Sequence, residues 1–334
     1  MPVPLNLVFL GSDPIALPLL DWLAEAGGAL ARVTAVYTQP DRPAGRGQRT
    51  GAGPIKRWAE ARGLPVCQPE KMARDQGAWL AAPRADVALV MAYGHILSED
   101  FIAVPRLGAL NLHASLLPKY RGASPIQTAV ACGERVTGVT LMRIVKQLDA
   151  GPVADWERVA IDPLDTAPEV EAKLARACVP LLARTLPVLV RGDLAFRDQD
   201  HAAATYCRRL VKTDSRLDFA APAGALAARI NGLHPWPGCA VEINGVTVKL
   251  GLADVGAGFG APGGNPAPPG TVVGTDREGL LVSTGEGTLR LRRLQRPGGR
   301  LLPAPEFLRG FPLVPGARLP SQPMAPLVSP APFR

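Results

Sequence analysis

The sequence predicts an α/β protein, a doubly wound and mostly parallel sheet, followed by a small β-barrel domain. Short apolar runs at 5–10, 33–37, 66–67 and 86–91 alternate with helix-like segments, the pattern of a parallel sheet wound by helices. Beyond residue 205 short alternating segments take over (240–243, 246–250, 271–273, 280–283 and 288–291), separated by Gly/Pro turns. That change predicts a small barrel of the OB type. At 334 residues the chain is long for one core and comfortable for two. The expected division is a first domain over 1–190, a linker over 191–205, the basic barrel over 206–319, and a Pro-rich, disordered tail over 320–334.

Bulk properties narrow the class. A hydrophobic content of 47% with 20% charged residues marks a folded globular chain. The five cysteines (67, 132, 178, 207, 239) are odd in number, widely spaced and without a C-x-x-C pair. They read as buried thiols in a reducing cytoplasm, and no Cys/His spacing supports a metal. No basic leader precedes the 5–10 run and no apolar stretch approaches ~20 residues, so a cytoplasmic protein is expected. Charge is uneven. Residues 1–200 hold 22 Lys+Arg against 21 Asp+Glu, whereas residues 201–334 hold 15 against 8. A basic appendage on a near-neutral domain suits a polyanion, although a solubilising surface would look the same.

The first strand, 5–10, runs into Gly11-Ser-Asp-Pro14 and an amphipathic segment to Ala26. A dinucleotide fingerprint would need G-x-G-x-x-G at this turn, so a nicotinamide oxidoreductase is disfavoured. Residues 41–57 form a glycine-rich segment with Arg42, Arg46, Arg49, Lys56 and Arg57 against Asp41 alone. Such a segment is too basic to be neutral about phosphate, though a solvated excursion would have the same composition. Helices are expected over 54–62 and 71–81. After the 86–91 strand comes Tyr93-Gly-His-Ile-Leu97, where His95 reads as a packing or surface residue and Gly94 permits close approach.

The stretch that organises the chain is 108–127. It starts as an alternating strand, breaks at Ser115 into a turn-rich loop, and enters a helix at Pro125, with Ser124 placed to cap it. Asn111 and His113 lie two apart, so they share a face near the strand's C-terminal end, where ligands sit in open α/β sheets. An amide beside an imidazole suits a carbonyl whose oxygen becomes negative on attack. Asp149 follows the next apolar run (138–145) and could orient the imidazole, although an ordinary turn aspartate before Gly151-Pro152 is the better reading of that position taken alone. Strands at 137–145 and 153–159 lead to a helical run over 168–190 that Pro180 and Pro187 should kink or interrupt.

The run Asn-Leu-His-Ala-Ser-Leu-Leu-Pro-x-x-Arg-Gly-x-x-Pro-Ile (111–126), with Leu-Asp-x-Gly about thirty residues on, resembles the formyltetrahydrofolate-dependent formyltransferases. So do Tyr37-Thr-Gln-Pro-Asp-Arg-Pro-Ala-Gly-Arg-Gly47, Ala204-Thr-Tyr206, His234-Pro-Trp-Pro-Gly238, and a C-terminal series ending at Phe307-Leu-Arg-Gly310. The resemblance spans about residues 5 to 320 and is strongest to the members that formylate methionyl initiator tRNA. It implies a Rossmann-like catalytic domain, 10-formyltetrahydrofolate as cosubstrate without a metal, and Asn111, His113 and Asp149 as the catalytic trio. Ser115, Leu116, Leu117 and Pro118 would line the folate, and Arg121-Gly122 would hold that turn. Arg42, Arg46 and Arg49 would engage the tRNA acceptor end, although Thr50-Gly51-Ala52-Gly53 departs from the commoner family pattern. A monomer is expected.

Strand alternation puts Arg290 and Arg292 on one face, where phosphate is the expected counterion because their own segment supplies no acid. Rival readings are a same-fold formyltransferase acting on an amino-sugar nucleotide, a folate hydrolase releasing formate, and an RNA-binding protein on a retired enzyme scaffold. The two basic regions weigh against the first two, and the intact Asn111/His113/Asp149 set against the third.

Overall fold

The computed structural model describes residues 3–44, 49–70, 85–257 and 267–333. The expected helix over 71–81 lies outside them. The chain divides into two compact units, one built from Met1–Ala123, Gly138–Val159 and Glu171–Thr205, the other from Ser124–Thr137, Ala160–Val170 and Tyr206–Arg334.

The first unit contains β1 (Leu5–Leu10), β2 (Ala31–Tyr37), the hairpin β3 (Pro43–Ala44) and β4 (Arg49–Thr50), β5 (Val66–Cys67), β6 (Val87–Val90), β7 (Ala109–His113) and the two-residue β8 (Arg121–Gly122). It also contains most of β9 (Val136–Arg143) and β10 (Val153–Ala160). The main sheet runs β10-β9-β7-β6-β1-β2-β5. Its five strands from β7 to β5 are mutually parallel, and β9 lies antiparallel to β7. β1 is buried on both faces because a parallel sheet is covered on both sides, hence the continuous apolar run. The chain fills the sheet outward through β2 and β5, then returns to the other side of β1 with β6. The strand order therefore reverses beside β1, where such sheets open a crevice at their carboxyl ends. Gly11 ends β1 there, and a Cβ on it would meet the Phe9 ring and the Met91 carbonyl at 2.6 and 2.7 Å.

Helices α1 (Leu17–Ala24), α2 (Pro54–Glu60), α3 (Glu99–Ile102), α4 (Pro125–Ala131) and α5 (Ala167–Arg191) connect the strands. The first is entered through a 3-10 turn that Asp13 caps by accepting the Ile15 N–H. Ser124 does not cap α4 with its side chain, contrary to the sequence reading. Nor do Pro180 and Pro187 interrupt α5, which continues through both. Seven residues is two turns, so both prolines share one face that is not buried. Carbonyls freed there can bond water, while Leu174, Leu181, Leu182 and Leu186 hold the other face in the core.

The second unit is organised around an antiparallel sheet of β12 (Ala240–Ile243), β13 (Val246–Gly256), β14 (Val272–Thr275), β15 (Leu280–Ser283) and β16 (Thr288–Gln295). The order is β12-β13-β16-β15-β14, with β17 (Leu302–Pro303) on β16. This is an antiparallel half-barrel. A helix absent from the sequence reading, α6 (Ala223–Leu233), packs against it, and α7 (Ala304–Gly310) follows β17. α6 reaches α4 so closely that a Cβ on Gly232 would fall 2.2 Å from the Ala131 nitrogen. Its Asn231 donates to the Ala253 carbonyl and accepts the Ala253 N–H, both at 2.9 Å, where the β13–β16 register slips. A bulge leaves ladder groups unpaired, and this amide satisfies them.

Two expectations about chain organisation change. The 191–205 stretch is bonded into the first unit: Val153 and Arg197 exchange backbone hydrogen bonds, and Gln199 is buried. The 320–334 tail is ordered through residue 333, with β18 (Val328–Ser329) paired to β11 (Tyr206–Cys207), Leu327 buried, and Ser321 accepting the Phe219 N–H. Proline content alone does not leave a tail free when apolar residues between the prolines find a core.

Candidate active site

β7 delivers Asn111 and His113 to the carboxyl end of the sheet. His113 is buried, while the half-buried Asn111 amide bonds to no other group among the described residues. The turn beyond is tightly specified. Ser115, fully buried, donates its hydroxyl to the Lys119 carbonyl at 2.6 Å, and its own carbonyl accepts from Thr140 Oγ1 at 2.6 Å. Thr140 Oγ1 in turn accepts the Leu117 N–H at 3.1 Å. Thr140 sits directly opposite His113 in the β7–β9 register. Tyr120 holds a left-handed φ of +59°, and its N–H donates to Thr205 Oγ1 at 2.9 Å. That conformation aims the Tyr120 carbonyl at His113 Nε2, 2.9 Å away. A carbonyl only accepts, so Nε2 carries a proton and Nδ1 is the nitrogen open to protonation.

Nδ1 faces Asp149, whose Oδ2 lies 3.7 Å away. Asp149 is itself left-handed, φ +48°, a conformation rare outside glycine. Its Oδ2 accepts the Gly122 N–H at 2.8 Å. The next turn is closed at Gly151, where a Cβ would fall 1.9 Å from the Arg143 carbonyl. Arg121, 2% exposed, donates from Nε and Nη2 to Gln199 Oε1 at 3.2 and 2.7 Å, and from Nη2 to His201 Nδ1 at 3.0 Å. The turn-holding role expected of Arg121 thus has bonds behind it. Gln199 and Thr140 carry no local pattern that marks them, and Thr205 is marked only as part of the Ala204-Thr-Tyr206 resemblance; each acts through contacts far along the chain.

Next to this centre, at the ends of β1 and β6, the Tyr93 carbonyl accepts from Ser12 Oγ and from Gln39 Nε2, each at 3.2 Å. Burial pushes the Tyr93 phenol well above its ordinary range, and the neighbouring Cys67 adds to this. It pushes the Tyr37 phenol up likewise, with a Cys67 bond adding. Both rings are neutral and buried in the core. His95 packs edge-on against Tyr93, centroids 5.3 Å apart, and its buried Nε2 has no hydrogen-bond partner among the described residues. Of the expected folate-lining set, Leu116, Leu117 and Pro118 stay partly exposed on the turn. Ser115 does not: its buried hydroxyl is used inside the turn.

The candidate nucleic-acid contacts fare unevenly. Arg42 is exposed, with Glu70 3.6 Å away, a surface pair worth ~0–1 kcal/mol. Arg46 lies outside the described residues, and Arg49 sits on β4 of the hairpin. Lys56, counted among the loop cations, is ion-paired with Asp41. Arg290 and Arg292 overturn the expectation of a free phosphate-binding face. Arg290 pairs with Asp254, Asp276 and Glu278 at 2.6–3.0 Å, and Arg292 with Asp254 and Glu278 at 3.0 and 2.9 Å. The cause is register: Asp254 on β13 lies directly across from Arg290, a neighbour 36 residues away that the segment itself cannot reveal.

Comparison with known proteins agrees with this architecture. The formyl transferase family model matches residues 5–186, and the model of the formyl transferase C-terminal domain matches 209–312. A methionyl-tRNA formyltransferase of Ectopseudomonas mendocina is 42% identical over 90% of this chain and 93% of its own. One from Burkholderia mallei is 41% identical over 94% and 97%. Among solved structures, WlaRD, a sugar 3N-formyl transferase, superposes with a TM-score of 0.63 at 16% identity, covering 87% of this chain and 97% of that one. HypX from Aquifex aeolicus in complex with tetrahydrofolic acid gives 0.59 at 14% identity, covering 91% and 46%. Matched by both domain models and by relatives over nine-tenths of its length, the chain belongs to the methionyl-tRNA formyltransferase family.

Proposed function

We propose that the chain transfers the formyl group of 10-formyltetrahydrofolate to the α-amino group of methionyl initiator tRNA, in the cytoplasm and as a monomer. The observation that carries this reading is the convergence of Asn111, His113 and Asp149 at the carboxyl end of the sheet, with His113 Nδ1 facing the Asp149 carboxylate. The amine attacks the formyl carbon, a new C–N bond forms, and the bond to N10 breaks. The Asn111 amide, with no partner among the described residues to give up, donates to the oxygen that becomes negative. His113, its Nε2 tied to the Tyr120 carbonyl, takes up charge at Nδ1 and adds a second stabilising group. Asp149 lies close enough to hold that charge and, through an intervening water, to pass the amine proton toward the leaving N10. Its 3.7 Å separation from Nδ1 leaves room for tightening once substrate excludes solvent.

Leu116, Leu117 and Pro118 offer an apolar edge with turn backbone groups beside it, which suits a pterin. The exposed Arg42, with Arg46 and Arg49 near it in sequence, suits the acceptor end of a tRNA. The half-barrel of the second unit is read as OB-type, a frame used for nucleic-acid binding. Incubating purified protein with 10-formyltetrahydrofolate and charged initiator tRNA should yield formyl-methionine on the tRNA. No product with that tRNA, under conditions where folate binds, would sink the proposal.

A further inference from the structure

Gln199 sits far from His113 in sequence, in a stretch without regular secondary structure, yet it is only 7% exposed and all of its bonding capacity is spent on the site. Its Nε2 donates to the Asp149 carbonyl at 2.8 Å and to the Gly151 carbonyl at 2.7 Å. Its Oε1 accepts both Arg121 bonds. An amide can rotate and exchange its ends, but here it cannot. Carbonyls accept only from the NH2 end and a guanidinium donates only to the oxygen end, so its partners fix its orientation. The two carbonyls it grips belong to Asp149 itself and to Gly151, on the chain just beyond the left-handed Cα whose carboxylate faces His113. Arg121 continues directly into Gly122, whose N–H holds Asp149 Oδ2. One end of the Asp149 residue is therefore gripped at its backbone and the other at its carboxylate, by groups that share Arg121.

We infer that Gln199 is a positioning residue for formyl transfer: its amide, locked by Arg121, holds the Asp149 turn in the conformation that points the carboxylate at His113. This rests on the role proposed above for Asp149. The group does not touch the reacting atoms. It acts by setting the His113–Asp149 geometry, where a displacement on the order of 1 Å can cost about 100-fold in rate.

The test uses the full-length protein with Gln199→Glu, Gln199→Ala and Asp149→Asn, and the double variant Gln199→Glu/Asp149→Asn. Gln199→Glu is the central one. A carboxylate keeps an acceptor for Arg121, so the fold should hold, but it has no NH2 for the two carbonyls and repels them. The expected result is kcat lowered roughly 10- to 100-fold, KM for tRNA and folate within about threefold, a displaced pH–rate profile, and a thermal midpoint near wild type. Gln199→Ala should show the same kinetic defect; if it fails to fold, Gln199→Glu carries the test alone. In the Asp149→Asn background, Gln199→Glu should add less than about threefold, since the carboxylate it positions is gone. Wild-type kcat and pH profile in Gln199→Glu, or a defect that multiplies fully with Asp149→Asn, overturns the inference. A fully active Asp149→Asn would instead bring down the underlying reading of the site.

Discussion

Asp149 in the first unit and Asp214 in the second are both withdrawn from water, with side chains 14% and 0% exposed. Their surroundings differ in kind. Asp214 is saturated: Arg208 donates to both of its oxygens at 2.6 and 2.8 Å, and the Val211 N–H donates at 2.8 Å. Burial alone would push that carboxyl up, yet these bonds, with the Arg208 and Arg229 charges, hold it below the usual range. Asp149 is gripped by backbone dipoles instead. One of its oxygens accepts the Gly122 N–H, the other accepts no bond among the described residues, and its backbone is bent into a left-handed conformation. Saturation suits stability, whereas a carboxylate held by a single backbone N–H, with that same oxygen 3.7 Å from an imidazole, suits the chemistry proposed for it, at some cost in backbone strain.

The largest effects should fall on the first of these. Asn111→Ala and His113→Ala are each expected to lower kcat about 10²–10³-fold, the usual loss for one oxyanion donor. Asp149→Asn should lower it sharply as well, because an amide cannot stabilise an imidazolium as a carboxylate does. None should move the thermal midpoint by more than a few degrees. Steady-state kinetics beside thermal melts would check this, and near-normal turnover in any of the three would break the contrast with Asp214.

Asp214→Ala should show the opposite pattern. Removing one partner of a buried ion pair costs about 3–5 kcal/mol, and the lower end is expected because Arg208 remains partly in water. The surviving folded protein should turn over at close to the wild-type kcat. Chemical denaturation with an active-site titration separates the two quantities. A variant that kept wild-type stability would show that saturation adds nothing.

How much of this was legible in the sequence follows the distance over which each interaction acts. Asn111 and His113 could be read from strand alternation, because two residues on one strand share a face whatever surrounds them. The parallel sheet was legible for the same reason, since its buried strands are apolar without interruption. Asp149 stood out only through resemblance, because its partners Gly122 and Gln199 are 27 and 50 residues away. The Asp254–Arg290 pairing depends on register, and the ordered tail depends on where Leu327 lands, neither of which is local. α6 was missed because its Ala- and Gly-rich sequence carries little apolar contrast, although most of the helix is buried.

Acidity should probe the second unit in a graded way. His234 is held below the ordinary imidazole range, by burial first, against the pull of Glu169 and with the help of Arg293 and Lys249. The unfolded chain therefore takes up a proton near pH ~6.5 that the folded chain refuses until lower pH. Stability from this group is present above that value and falls as pH drops through the window. Asp214 acts in the same direction lower down: its contribution is present above ~3.9 and is lost as pH falls through its depressed folded value. Melts between pH 7.5 and 5 should show a declining midpoint, and His234→Gln should flatten the decline. The scale is a few degrees, since ~1 kcal/mol moves a domain of this size by roughly 2–4 °C. An identical slope in the variant would remove His234 from the account.

The smallest expected effect separates two kinds of arginine. Arg290 and Arg292 look like a phosphate-binding face by alternation, but the carboxylates of Asp254, Asp276 and Glu278 already neutralise them, and the Asp254 bonds above all hold the Arg290 guanidinium in its charged form. Binding a phosphate there would require breaking those pairs, so few counterions would be released by contact with RNA. Arg42 is the contrasting case, exposed and loosely paired with Glu70. Each duplex phosphate contact contributes a slope of up to ~0.9 to the salt dependence of binding. Arg42→Ala should therefore flatten the salt dependence of tRNA binding by up to that amount. The Arg290→Ala/Arg292→Ala double variant should keep the wild-type slope and lose thermal stability instead, because the three acids are left facing one another. Salt titrations of tRNA affinity on both variants, with melts alongside, decide the matter. A flattened slope in the double variant would mean that the ion pairs open to receive RNA, and the contrast between saturated and available charge would fail at this site.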